Sequence, residues 1–160
     1  MSEISWITAI HEAAHAVAAI RAGLAFETVS AEPDEAHELD GALYWTEIQD
    51  SGEIVMPPEL LAVVSLAGPC AEARERGQRF DRMFLGIAAT DDREAVAALG
   101  LSEAQFLDAC RETLSLVEQD WQLIERVARE LMAGGRLSFD EVDAMVAAEE
   151  GDPEDGEPEE

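Results

Sequence analysis

The sequence predicts a mainly helical α+β domain with one small antiparallel β-hairpin. Three observations carry this. Apolar residues recur at three- and four-residue intervals in the first quarter and again in the last third of the chain. Only two short stretches, FETVSAE and GALYWTEI, have the composition or alternation of strands. The segment between them, PDEAHELDG, is polar and holds Pro33 and Gly41, which reads as the connecting turn or loop.

The first helix is expected from about Ile4 to Ala22, where Ile7, Ile10, Ala14, Val17 and Ile20 form an apolar stripe and Gly23 supplies a stop. After the hairpin, PPELLAVVSLAGPCAEARERG predicts a second helix opened by its prolines. Pro69 lies inside it and is expected to kink or divide it near Ala67-Gly68. QRFDRMFLGIAAT reads as a linker, and TDDREAVAALG as a short third helix capped by Thr90 or Asp91 and ended by Gly100. From Ser102 to Ala133 there is neither proline nor glycine. Leu107, Cys110, Leu114, Val117, Trp121, Ile124, Ala128 and Leu131 make one seam there, on a helix about 45 Å long at 1.5 Å per residue. The seam is expected to pack on the domain's own helices, with a homo-oligomer interface as the alternative. Gly134-Gly135 end that helix, and SFDEVDAMVAA supplies the last one, with Ser138 and Glu141 as a capping box.

The chain has 160 residues, enough for one domain with a real core, and a formal net charge of -26. Such a field repels nucleic acid and anionic lipid, so neither is expected as a partner. Part of the charge lies in EEGDPEDGEPEE, which has no apolar residue. Residues 149–160 are therefore expected to form a disordered acidic tail behind a domain of residues 1–148. Cys70 and Cys110 form no CxxC pair, which excludes a cysteine-based zinc knuckle. No basic region precedes the first apolar run, and no segment is long and apolar enough for a bilayer. The expected location is cytoplasmic.

The chemistry is concentrated in TAIHEAAHAVAAI. On a helix, His11 and His15 project from one face, so each can give one imidazole nitrogen to the same tetrahedral zinc. Glu12 is turned about 100° from His11, within reach of a water at the metal's open position. A carboxylate there can take the water's proton and pass it to a leaving amine. Ala13, Ala14 and Ala16 make a small-residue surface that lets other elements approach. Such a site needs a third protein ligand; the candidates are Glu72, Asp91, Asp92 and, less simply, His37, which reads as a surface histidine of the acidic loop. Asp91 and Asp92 fit a helix cap as well as a ligand.

These residues and their surroundings resemble the peptidase domain of the FtsH-type zinc metalloproteases, ATP-dependent membrane proteases of bacteria and organelles. TAIHEAAHAVAA is similar to that family's histidine helix, TVSAEP and DGALYWT to its strand pair, LAVVSLAGPCAEA to its L-A-G helix, ATDDREAV to the stretch with its aspartate ligand, and IERVARELMAGGRLSFDEVDAMV to its closing segment. The pieces occur in family order up to about Met145. The resemblance implies a helical zinc-metallopeptidase domain. It makes His11 and His15 zinc ligands and Glu12 the general base. Ala95, four residues after Asp91, makes Asp91 the first choice of third ligand and Asp92 the second. It sets Glu72 beside a ligand as an orienting group. Ala14 stands where the family has glycine and Pro69 where it has arginine; no G-x-x-x-x-G-K-[ST] phosphate loop occurs, so a separate ATPase is a candidate partner.

The expected activity is zinc-dependent hydrolysis of peptide bonds in unfolded or flexible segments. Gly41, Ala42, Leu43, Tyr44 and Trp45 form a strand whose edge can take an extended substrate peptide. The alternative is an inactive peptidase fold kept as a binding or regulatory module, against which the presence of Glu12 argues. A purely structural helical dimer leaves HEAAH unexplained.

Overall fold

A computed structural model describes residues 5–31, 42–45, 58–81, 96–97 and 99–156. In chain order it contains α1 (Trp6–Arg21), β1 (Phe26–Ser30), β2 (Ala42–Trp45), α2 (Pro58–Arg76), α3 (Glu103–Gln119), α4 (Trp121–Gly134), β3 (Arg136–Ser138) and α5 (Phe139–Gly156). The protein is mainly helical with a small antiparallel sheet, the class its periodicity predicts. Most of the expected third helix lies outside the described residues.

Helix α1 is the central element. Ser5 caps it, its Oγ accepting from the Thr8 amide at 2.9 Å. From Ala9 to Ala19 every residue except His11 is buried. A surface helix keeps a polar face; one buried all round does not. The alanines make this possible, because α2, α4, β1 and α5 all pack on α1 and small side chains let them come close. The main core joins Ile10 and Val17 to Phe26, Val29, Ile124, Val127, Leu131 and Val142. A second, smaller cluster of Ala62, Val63, Leu66, Val96 and Ala109 links α2 to α3.

The sheet has three strands in the order β2-β1-β3, one more than the expected hairpin. β1 pairs antiparallel with β2, Val29 opposite Leu43, and with β3, Val29 opposite Leu137. The three residues of β3 are too few to show alternation in sequence. Their pairing depends on Gly135, whose φ of 84° turns the chain out of α4 and back to the sheet. The Gly135 carbonyl then accepts from the Ala31 amide at 3.0 Å. Phe26 of β1 meets Phe139 of α5 edge to face, with centroids 5.2 Å apart.

Two expectations about helices are corrected. The span from Ser102 to Ala133 is not one helix; it breaks at Asp120, between α3 and α4. No glycine or proline is needed, because Arg21 of α1 grips Asp120 with two hydrogen bonds of 3.0 Å each. The break also lets the two halves pack separately, α3 on α2 and α4 on α1. The reverse holds for α2, which Pro69 does not divide: the helix runs unbroken as one element from Pro58 to Arg76. Proline removes one amide donor. The burial of Ala62, Leu66, Ala67, Cys70 and Ala71 on both sides of it holds the helix together.

Two expected ends can be placed. Ser138 and Glu141 form the reciprocal capping box, with distances of 2.8 and 3.1 Å. α5 then runs to Gly156, past the position where composition sets the start of the tail. An ion pair from Arg126 of α4 to Glu149 ties the first residue of that stretch to the body of the domain. Among the described residues, no helix is long and apolar enough to cross a membrane.

Candidate metal centre

The contact between α1 and α2 brings His11, His15 and Glu72 together. The two imidazoles lie edge to face, with centroids 4.8 Å apart and planes at 72°. The four-residue spacing on a well-formed helix produces this, and the helix is well formed because its neighbours bury it on every side.

Each ring is held at its Nδ1. His15 Nδ1 donates to the Val64 carbonyl of α2 at 2.7 Å, in a buried setting. A carbonyl oxygen only accepts, so this nitrogen carries the hydrogen. In the neutral ring the lone pair is then on Nε2. His11 Nδ1 lies 2.9 Å from Glu72 Oε1. With Glu72 ionised, that nitrogen is again the donor, and the neutral ring again has its lone pair on Nε2. Two different acceptors on α2 thus select the same tautomer in both rings.

Gly68 shows where the two Nε2 atoms go. A Cβ added there would lie 2.5 Å from His15 Nε2 and 2.7 Å from His11 Nε2. Both nitrogens therefore flank one point, at 2.5 and 2.7 Å from it, and are at most about 5.2 Å apart. This upper bound admits a shared zinc with Zn–N bonds of about 2.0–2.1 Å. Any side chain at position 68 would occupy the space in front of the two nitrogens.

Glu72 is 6 % exposed, yet its carboxyl titrates below the usual range. Burial pushes it up; the hydrogen bond and charge of His11 and those of Arg76 push it down, and they win. Its second oxygen, Oε2, accepts from Arg76 Nε at 3.0 Å. Glu12 is also buried, at 8 % exposure, on α1 directly after His11. Cys70 lies on α2 between Gly68 and Glu72, but burial, with Cys110 adding and Arg74 opposing, pushes its thiol up to about 12. It stays protonated at neutral pH and offers the site no thiolate.

The donor chemistry fits zinc: two neutral imidazoles with Nδ1 engaged, a carboxylate behind one of them, and a glycine that clears the space between. Among the described residues there is no group of three or more His, Cys, Asp or Glu able to hold a metal ion. The ligand candidates Asp91, Asp92 and His37 lie outside the described residues. So does Gly41; Ala42, Leu43, Tyr44 and Trp45 form β2, an outer strand of the sheet. The chain matches no family model and no curated protein.

Three participants were not picked out from the sequence for this site. Gly68 had a signal: a glycine inside a helix costs about 1 kcal/mol relative to alanine, so its presence needs a reason. Arg76, four residues after Glu72, is a helical ion-pair spacing. The Val64 carbonyl had none, since a backbone acceptor is set by the packing of α1 on α2 and not by residue type.

Proposed function

We propose that this protein is a zinc-dependent metallopeptidase that cuts peptide bonds in unfolded or flexible segments. The observation that carries the reading is the pair of Nε2 atoms flanking Gly68, each in a ring whose Nδ1 is already engaged. When bound, zinc would supply a Lewis acid that polarises the scissile carbonyl and lowers the pKa of water to about 7. His11 and His15 would hold it, with Asp91, or failing that Asp92, as the third ligand. Glu12 takes the proton of the attacking water and delivers it to the leaving amine. Glu72 keeps the His11 ring in the tautomer and orientation that binding needs. β2 offers its outer edge to the main chain of an extended peptide. A stable folded substrate presents such a strand only when it opens locally, which restricts cleavage to flexible chains.

The test is zinc content followed by cleavage. Purified protein is expected to hold close to one zinc per chain and to lose it in His11→Ala and His15→Ala. It is expected to cleave a denatured protein faster than the same protein folded, with Glu12→Gln as the inactive blank. Zinc-loaded protein that cleaves none of these substrates would instead favour an inactive binding module on the same fold. A wild-type protein that binds no zinc would defeat the peptidase reading.

A further inference from the structure

The metal reading of α1 and α2 uses Glu72 but leaves a residue behind it unexplained. Helix α2 ends in three charged side chains, and each goes somewhere different. Arg74 pairs with Glu118 of α3 at 2.6 Å and lies over the ring of Trp121 at 4.6 Å. Glu75 accepts from Trp6 Nε1 at 3.0 Å. These two tie helix to helix. Among the described residues Arg76 joins α2 to no other element; its ionic partner there is Glu72, one turn back on the same helix.

Glu72 is thereby held at two points. Oε1 takes His11 Nδ1 and Oε2 takes Arg76 Nε, and the two distances are 2.9 and 3.0 Å. A carboxylate held at one oxygen still rotates about its terminal bond, a broad torsion. Held at both, its plane is set, and with it the direction from which Oε1 meets the His11 ring. The guanidinium suits this task because its N–H groups are fixed in a plane. As a stability device the contact is poor. The Arg76 side chain is 45 % exposed, so solvent screens its charge, and the pair joins two residues of one helix.

We infer that Arg76 is a positioning residue of the metal centre: through Glu72 it fixes the orientation of the His11 ring, and so tunes the affinity for zinc. The inference rests on the proposed zinc site. Arg76 touches neither metal nor substrate in this scheme and acts only through the carboxylate.

The experiment is a double-mutant cycle on the full-length chain, reading zinc affinity by competition with a chromophoric chelator. Loss of an outer-shell partner costs about 10–100-fold in metal affinity, which is the expectation for Glu72→Gln. Arg76 acts one bond further out, so Arg76→Gln is expected to weaken zinc by about 3–10-fold. Arg74→Gln removes the same charge from the same turn and is expected to leave the affinity unchanged. In the Glu72→Gln background, Arg76→Gln is expected to have no further effect. A merely structural role would not produce that dependence. If Arg76→Gln does not fold, Arg76→Lys replaces it. That variant keeps the charge without the planar fork, and its loss is expected to be smaller and likewise confined to the background with Glu72 intact.

Wild-type zinc binding with Arg76→Gln equal to Arg74→Gln would overturn the inference and leave the metal site standing. Equal losses with and without Glu72 would do the same, because Arg76 would then act by charge alone. A wild-type chain that binds no zinc would remove the site and this inference together.

Discussion

The two helix pairs of this protein are built on opposite rules. In α1 and α2, polar groups meet across the contact: buried His15 with the Val64 carbonyl, and part-buried His11 with buried Glu72. The apolar side chains between them are small, chiefly alanines, with a glycine facing the histidines. In α3 and α4, the buried face is apolar apart from Thr113, which satisfies itself on the Ala109 carbonyl of its own helix at 2.7 Å. Leu107 and Leu114 even remain 43 % and 48 % exposed. One pair spends its contact on placing specific atoms. The other supplies bulk burial, and exchanges there change energy without changing geometry.

The sharpest break of this comparison is in the second pair. Leu131 is fully buried among core residues of α4. Leu131→Ala is expected to lower unfolding free energy by about 2–5 kcal/mol, the usual range for a cavity of this kind. Chemical denaturation measures it. Zinc bound per folded molecule is expected to stay the same, since Leu131 supports no atom of the centre.

Gly68→Ala tests the first pair. In an open helix this change stabilises by about 0.5–1 kcal/mol. Here the new Cβ would sit within 2.7 Å of atoms of both histidine rings, closer than packed atoms tolerate. The sign is therefore expected to reverse, to a loss of about 1–3 kcal/mol from overpacking. Zinc binding is expected to fall with it, beyond what the loss of stability explains. A variant that is more stable and binds zinc normally would show that the rings do not approach α2 as described.

The difference between the pairs also decides what was legible in the sequence. HEAAH was legible because i, i+4 projection depends on the helix alone. The capping box at Ser138 was legible because it is a local hydrogen-bond pattern. The apolar seam from Leu107 to Leu131 was legible as a pattern but not as a shape. Its break at Asp120 is imposed from outside by Arg21, nearly a hundred positions earlier in the chain. The same holds for β3, which pairs with β1 only once α4 has returned the chain to the sheet. In the site, Glu72 was placed as a group behind a ligand through the family resemblance. Arg76 on its other oxygen is a local i,i+4 spacing, whereas the carbonyl that holds His15 follows from the α1–α2 contact, which no local pattern encodes.

Acid separates the pairs more gently. The folded Glu72 carboxyl titrates below its unfolded value of about 4.3. Its contribution to stability is therefore complete above that value and is lost as the pH falls through the folded value. The gap in stability between wild type and Glu72→Gln, without metal, is expected to narrow below about pH 4. Denaturant titrations at a series of pH values give the comparison. A gap unchanged down to the acid transition would mean that the pairing with His11 and Arg76 does not stabilise the ionised form.

The smallest effect is expected at Leu114, and it tests whether bulk burial stops at the edge of α3. Its side chain lies on the same seam as Val117 and Ile124, yet those two are buried and it is not. The break at Asp120 turns α4 inward to α1, while α3 meets α2 through Ala109 and leaves the outer part of the stripe uncovered by the described residues. Leu114→Gln exchanges a side chain that is already half in water, so the change in unfolding free energy is expected to stay within about 0.5 kcal/mol. It is also expected to be independent of protein concentration. Denaturation at two concentrations a hundredfold apart measures both. A loss that grows with concentration would show that Leu114 is buried between copies, and that α3 too spends its contact on a specific partner.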